Sequence, residues 1–233
     1  MVDIRLTLLD ALPKNLLLDL EDRLRAAALR AFDVVNKELP LNPKRSREAE
    51  GQIRFRLQEQ AFEEVVREHG GDLLVDGVML GTDLKAFQPF ARFTGPHVGV
   101  ILGFSAMPEP RKTPAKNQSR AAGVTLNVSL QPSLLEDCAS PRSTDIFALF
   151  LTARDRERAG RIEEIAIGII GSDYKDFVFY ESLEAFLGGY AEAAAAPDDD
   201  GKGGAAIKLR AARKPFVPPE VRPDTETGHT AAE

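Results

Sequence analysis

Residues 145–170 read DIFALFLTARDRERAGRIEEIAIGII, and this stretch decides the fold. From Asp145 to Arg154 the chain is almost continuously apolar, through Ile146, Phe147, Ala148, Leu149, Phe150 and Leu151. Successive side chains of a strand point to opposite faces, so a strand apolar at every position is covered on both sides and belongs near the centre of a sheet. Arg156-Glu157-Arg158-Ala159-Gly160 supplies a polar turn, and Ile162–Ile170 returns as the next strand.

On either side of this pair the period-two pattern continues. Upstream, Leu73-Leu74-Val75, Asp76-Gly77 and Val78-Met79-Leu80 read as a hairpin, because Asp-Gly suits a tight type I′ turn. Residues 87–93 predict a further strand, and Thr94-Gly95-Pro96 turns the chain into Val98–Phe104. After a short helix, Val124–Leu130 alternates, with Val124, Leu126, Val128 and Leu130 on one face and Thr125, Asn127 and Ser129 on the other, which predicts a half-solvated strand. Gln131–Thr144 is a loop holding Pro132 and Pro141. Downstream, Phe177–Tyr180 is a last strand and Glu181–Leu187 a closing helix stopped by Gly188-Gly189.

Two helices precede the strands. From Pro13 to Glu38, Leu16, Leu17, Leu20, Leu24, Ala27, Ala28, Ala31, Val34 and Val35 recur at three- and four-residue spacing, as one buried stripe requires. Leu39-Pro40 ends it, since the residue before proline is pushed out of the helical region. Asn42-Pro43 reads as N-cap and first helical residue of the second helix, and Gly70-Gly71 as its stop. Ile53, Leu57, Ala61 and Val65 form its expected apolar stripe, widened by Phe62 and Val66. Six basic and six acidic residues, among them Glu50 and Arg54, form an expected solvated face.

Helices followed by mainly hairpin-linked strands predict an α+β fold. Two N-terminal helices pack on a largely antiparallel or mixed sheet of about six or seven strands, followed by a short C-terminal helix. Residues 1–190 are expected to form a single domain. Residues 191–233 are rich in Ala, Pro, Gly and charge, and predict a disordered tail with a basic stretch at Lys202, Lys208, Arg210, Arg213 and Lys214. No G-x-G-x-x-G follows a strand, and the Walker A pattern is absent.

Composition excludes several function classes. The chain has 233 residues, 43% of them apolar and 28% charged, and a net charge of −6. One cysteine, Cys138, cannot form an internal disulfide or a Cys-based zinc site. His69, His97 and His229 are too scattered for a His-rich metal cage. No apolar run approaches the ~20 residues of a membrane span, and the N-terminus lacks a secretory pattern. A cytoplasmic location without a membrane partner is the expectation. An acidic protein binds a polyanion only through a local patch.

Pro108–Asn127, PEPRKTPAKNQSRAAGVTLN, carries such a patch. Thr113 and Pro114 are read as the N-cap and first residue of a short helix ending at Gly123. Arg111 and Lys112 stand just before it, and Lys116 and Arg120 lie four apart on one face. Thr125 and Asn127 would extend the surface with hydrogen-bonding groups. Small residues on one face of two strands (Gly99 and Gly103; Ala166 and Gly168) predict close packing of an N-terminal helix, or a groove floor.

Catalytic constellations are poorer. Asp83, Glu109 and Lys112 are the candidates for a Mg²⁺-dependent nuclease or phosphodiesterase. Ser105 or Ser119 with His97 lacks a G-x-S-x-G elbow. Phe87, Phe90 and Phe93 beside Arg92 read as core rather than as a stacking platform. The expected function is a binding or accessory module for an anionic partner (nucleic acid, phosphate or an acidic protein surface) acting through Arg111, Lys112, Lys116 and Arg120. The alternatives are the divergent Mg²⁺-dependent phosphodiesterase and an oligomeric structural or accessory subunit. No cofactor is expected apart from Mg²⁺ under the first alternative.

Overall fold

The computed structural model describes residues 3–74, 88–96, 98–130 and 145–195. The chain divides into a unit over Met1–Ala196 and a second over Pro197–Glu233; the second unit, and with it the expected tail from residue 196 onward, lies outside the described residues. Also outside them are the Asp76-Gly77 hairpin, Asp83, Phe87, His97 and the 131–144 loop with Cys138.

The described residues form α1 (Ile4–Ala11), α2 (Lys14–Glu38), α3 (Pro43–Glu68), β1 (Asp72–Leu73), β2 (Phe90–Phe93), β3 (Val100–Met107), α4 (Gln118–Val124), a 3-10 helix (Thr125–Leu130), β4 (Ile146–Arg154), β5 (Ile162–Ile170), β6 (Phe177–Ser182) and α5 (Leu183–Ala195). The fold is α+β with one mixed six-stranded sheet in the order β1-β2-β3-β4-β5-β6. Every neighbouring pair is antiparallel except β3 and β4, which are parallel, with Val100 opposite Ile146 and Met107 opposite Ala153. The all-apolar run is indeed central: every residue of β4 from Ile146 to Ala153 is buried.

One face of the sheet is the main core. Val100, Leu102, Phe104, Ile146, Ala148, Phe150, Ile165, Ile167 and Ile169 meet Leu16, Leu17, Leu20 and Leu24 of α2, Phe62 and Val66 of α3, and Phe186 of α5. The α2 stripe is the one its spacing predicts, with Val34 half-buried. The two expected helices are α2 and α3, and a short helix stands before them. The extra one is α1, whose N-cap Asp3 accepts from the Leu6 amide and which buries Leu8, Leu9 and Ala11; Pro13 separates it from α2. The closing helix runs through Gly188-Gly189 to Ala195, because Phe186 packs inward and the Tyr190 hydroxyl donates to the Leu12 carbonyl.

The inward line of α3 departs from its apolar pattern. Glu50, Arg54, Gln58, Phe62, Val65 and Val66 are buried, while Ile53, Leu57 and Ala61 are only partly so. Glu50 and Arg54 therefore leave the expected solvated face. Glu50 pairs with Arg54 and, at 3.3 Å, with Arg154 of β4, and Gln58 donates to the Leu24 carbonyl at 3.3 Å. Burial lowers the Arg54 pKa, and the nearby Glu50 carboxylate opposes that shift. An ion cluster across α3 and β4 fixes the helix phase here, in place of a methyl stripe.

The second face holds Phe90, Ile101, Met107, Phe147, Leu149, Leu151, Ala166 and Ile170. It is covered by the chain that crosses from β3 to β4, since parallel neighbours cannot be joined by a tight turn. Val124 and Leu126 of this crossover join its core. The predicted strand over Val124–Leu130 is instead the end of α4 followed by a 3-10 helix. Asn127 decides this. Fully buried at the ends of β4 and β5, its amide donates to the Phe147 and Ile170 carbonyls at 3.0 and 2.9 Å and accepts from the Phe147 amide at 2.9 Å. One side chain thus satisfies three main-chain groups where the two strands part. Gly123 lets α4 approach, because a Cβ there would lie 2.6 Å from the Phe147 ring.

The small-residue face is this second face, not the one packed by the N-terminal helices. A Cβ at Gly103 would meet the Phe90 ring at 2.8 Å, and one at Gly168 the Phe177 ring at 2.9 Å. Aromatic rings from the neighbouring strands therefore use the space.

Candidate functional site

The crossover leaves β3 at Met107 and passes the β5–β6 end of the sheet before α4 settles on Phe147. Its first part, residues 108–117, carries the basic segment. Asn117, not Thr113, is the N-cap of α4, accepting from the Arg120 amide at 2.8 Å, and the helix has only seven residues. Thr113 and Pro114 precede it in chain without regular secondary structure. The helix-terminus anion site expected over 113–117 is therefore absent, and the cations must be weighed one by one.

Arg111 has φ 62° and Tyr174, in the β5–β6 turn, has φ 60°; among the described residues these are the two non-glycine positions in the left-handed region. Such conformations cost about 1–3 kcal/mol and persist where surrounding contacts over-determine them. For Arg111 the contact is its main-chain N–H, which donates to the Tyr180 hydroxyl at 3.2 Å. That hydroxyl donates in turn to Glu164 at 2.6 Å. Burial first, and the Glu164 carboxylate second, hold the Tyr180 pKa well above its ordinary value. For Tyr174 the turn is closed by its own N–H on the Gly171 carbonyl at 2.8 Å and by the Gly171 N–H on the Asp176 carbonyl at 3.0 Å.

Arg120 is the unusual member. It is 8% exposed, and among the described residues its guanidinium donates only to neutral acceptors: the Tyr174 hydroxyl at 3.3 Å, the Gln88 side-chain carbonyl at 3.3 Å and the Ala115 main-chain carbonyl. Tyr174 also binds Ala115, its hydroxyl donating at 3.4 Å. Lys116 sits over the ring of the same Tyr174, its Nζ 5.7 Å from the centroid. Among the described residues no carboxylate pairs with Arg111, Lys116 or Arg120.

Lys112 differs, because it pairs with Glu109. Glu109 also accepts from Arg156 at 2.7 Å. Hydrogen bonding by Lys112, aided by the charges of Lys112 and Arg156, holds the Glu109 carboxyl below the usual range. Of the metal-site candidates, Glu109 is thus engaged by two cations and Asp83 lies outside the described residues. Among the described residues no group of three or more His, Cys, Asp or Glu side chains is placed to hold a metal. Nor is any helix there long and apolar enough to cross a membrane. Thr125 and Asn127 do not join the cations: the Thr125 hydroxyl donates back to the Ala122 carbonyl at 2.6 Å, and Asn127 is spent in the core. Ser105 is fully buried on the second face.

A groove of about 680 Å³ opens beside the segment, lined by Arg111, Lys112, Lys175, Asp176, Phe177 and Tyr180. Four of these come from the turn and strand after β5 and were not anticipated from the sequence. Their only local sign is the polar Ser172–Asp176 turn between two apolar strands, and what brings it to residues 111–113 is the crossover. Lys175 lies 3.7 Å from Asp173. His69 caps the end of α3 and meets Asp19 at 2.7 Å, away from this region.

Comparison with protein-family models, with curated proteins and with solved structures gives no match.

Proposed function

We propose that this chain is a binding module for an anionic partner, with residues 111–120 and the β5–β6 turn as the contact surface. The observation that carries this reading is Arg120. A buried charge without an opposite charge costs several kcal/mol. Folding has already desolvated and oriented this guanidinium, so an approaching anion meets a preformed positive potential. Lys116 and Arg111, both exposed and without carboxylate partners among the described residues, give that potential an accessible edge on a chain whose net charge is −6.

Titration of the native chain with inorganic pyrophosphate and with a short oligonucleotide at several salt concentrations tests the reading. Affinity should fall with salt. Replacing Arg111, Lys112 and Lys116 together with alanine should weaken binding and flatten the slope by roughly one unit per lost phosphate contact. A slope unaltered by the triple variant refutes it.

A further inference from the structure

We infer that the groove beside the basic segment takes a nucleoside phosphate, an inference that rests on the anion-binding reading above. Three kinds of group line one space of about 680 Å³, a size ordinary for small-molecule sites, which span ~300–1,000 Å³. Arg111, Lys112 and Lys175 are cations from two separate loops, suited to the oxygens of a phosphate. Phe177 and Tyr180 are aromatic, with ring centroids 5.0 Å apart and planes 54° apart. Phe177 rests against Gly168, where a Cβ would come within 2.9 Å of the ring, so its position is set from beneath. Both rings remain half-exposed toward the groove. The Tyr180 hydroxyl is already committed to Glu164 and to the Arg111 amide, which leaves its ring as the surface it offers.

Asp176 sharpens the choice. It is exposed, lines the same groove, and its carboxylate makes no ion pair among the described residues. A bare phosphate is repelled by it, whereas a ligand that also carries hydroxyl or amino donors gains an acceptor. Phosphate, planar ring and hydrogen-bond donors together describe a nucleotide, either free or as a unit of a single strand. Stacking of a base on an aromatic side chain contributes about 1–3 kcal/mol, and it is tolerant of base identity.

The test uses the full chain and calorimetric titration with adenosine 5′-monophosphate, ribose 5-phosphate, inorganic pyrophosphate, an oligothymidylate about 12 nucleotides long and poly-glutamate. Adenosine 5′-monophosphate should bind roughly tenfold more tightly than ribose 5-phosphate. Phe177→Leu should remove that preference while leaving ribose 5-phosphate unaffected, and Lys175→Gln should weaken both. The native-chain comparison needs no variant, so a fold defect in Phe177→Leu leaves the test intact. Equal affinity for the two monophosphates overturns the nucleoside assignment. If pyrophosphate still binds in that case, anion binding stands without it; if no probe binds, both readings fall. Tighter binding of poly-glutamate than of either nucleotide probe also overturns the assignment, in favour of an acidic protein surface. Oligothymidylate binding with a salt slope above one contact identifies a strand as the source, and binding of the monophosphate alone identifies a free nucleotide; each supports the inference.

Discussion

Arg120→Gln separates a binding role from a structural one because the two predict opposite patterns. Glutamine keeps donors for the Ala115 carbonyl and the Gln88 side chain while deleting the charge. At an effective dielectric of about 20, a unit anion about 6 Å from the guanidinium gains roughly 3 kcal/mol. Screening by salt trims that figure at an exposed edge. The expected loss of pyrophosphate affinity is therefore between about tenfold and a hundredfold. Stability should move the other way or not at all, since the variant no longer buries a charge whose acceptors among the described residues are all neutral. The assay is calorimetric titration at low salt, paired with thermal unfolding in the absence of ligand. Unchanged affinity together with a fall in Tm would show that Arg120 serves only as a bracket between Ala115, Gln88 and Tyr174, and the reasoning would fail.

Four further outcomes are expected. Glu109→Gln releases Lys112 and Arg156 from their shared carboxylate, so pyrophosphate affinity should rise by about threefold, read by the same titration. Asn127→Ala leaves three buried main-chain groups without a partner and should cost about 4 kcal/mol, a fall in Tm of roughly 12 °C. Glu50→Ala strands the buried Arg54 and should cost about 3–5 kcal/mol in denaturant unfolding. Asp155 accepts from the Arg158 and Glu157 amides and the Arg158 guanidinium at 2.8, 2.9 and 2.6 Å, and the Arg158 amide bond leads in holding its pKa below the usual range. Its stabilising contribution is full above the ordinary Asp value of about 3.9 and is lost as pH falls through the depressed folded value. The Tm gap between native chain and Asp155→Ala should therefore be constant near neutrality and close in strong acid.

How far the fold could be read depended on whether apolar spacing alone decides an element. For α2 and β4 it does, because every inward position is a methyl-bearing or aromatic side chain, and both were legible to within a residue or two. In α3 it does not. Glu50, Arg54 and Gln58 look solvated by type, and only Arg154 and the Leu24 carbonyl, distant in the chain, make their burial tolerable. The segment from Val124 to Leu130 satisfies a strand pattern by alternation, yet Val128 is exposed while Leu126 and Asn127 are buried. The deciding partners of Asn127, at 147 and 170, are invisible in a local window.

The site follows the same division. The cations of residues 111–120 are plain in the sequence, but their unequal worth is not: Lys112 is paired, Arg120 is buried among neutral acceptors, and Arg111 is locked in a left-handed turn. The groove itself is a consequence of one topological choice. Because β3 and β4 run parallel, the chain after Met107 must return the length of the sheet before β4 can begin, and the free route lies over the second face. On the way it meets Tyr180 and Tyr174, both anchored near β5, and their hydroxyls fix Arg111 and Arg120 from below. An antiparallel β3–β4 hairpin with the same side chains would place these cations on a loop at the sheet's edge, with neither Tyr180 to hold the turn nor Phe177 and Lys175 to complete the wall. Parallel pairing is therefore what converts a basic stretch of sequence into a concave surface.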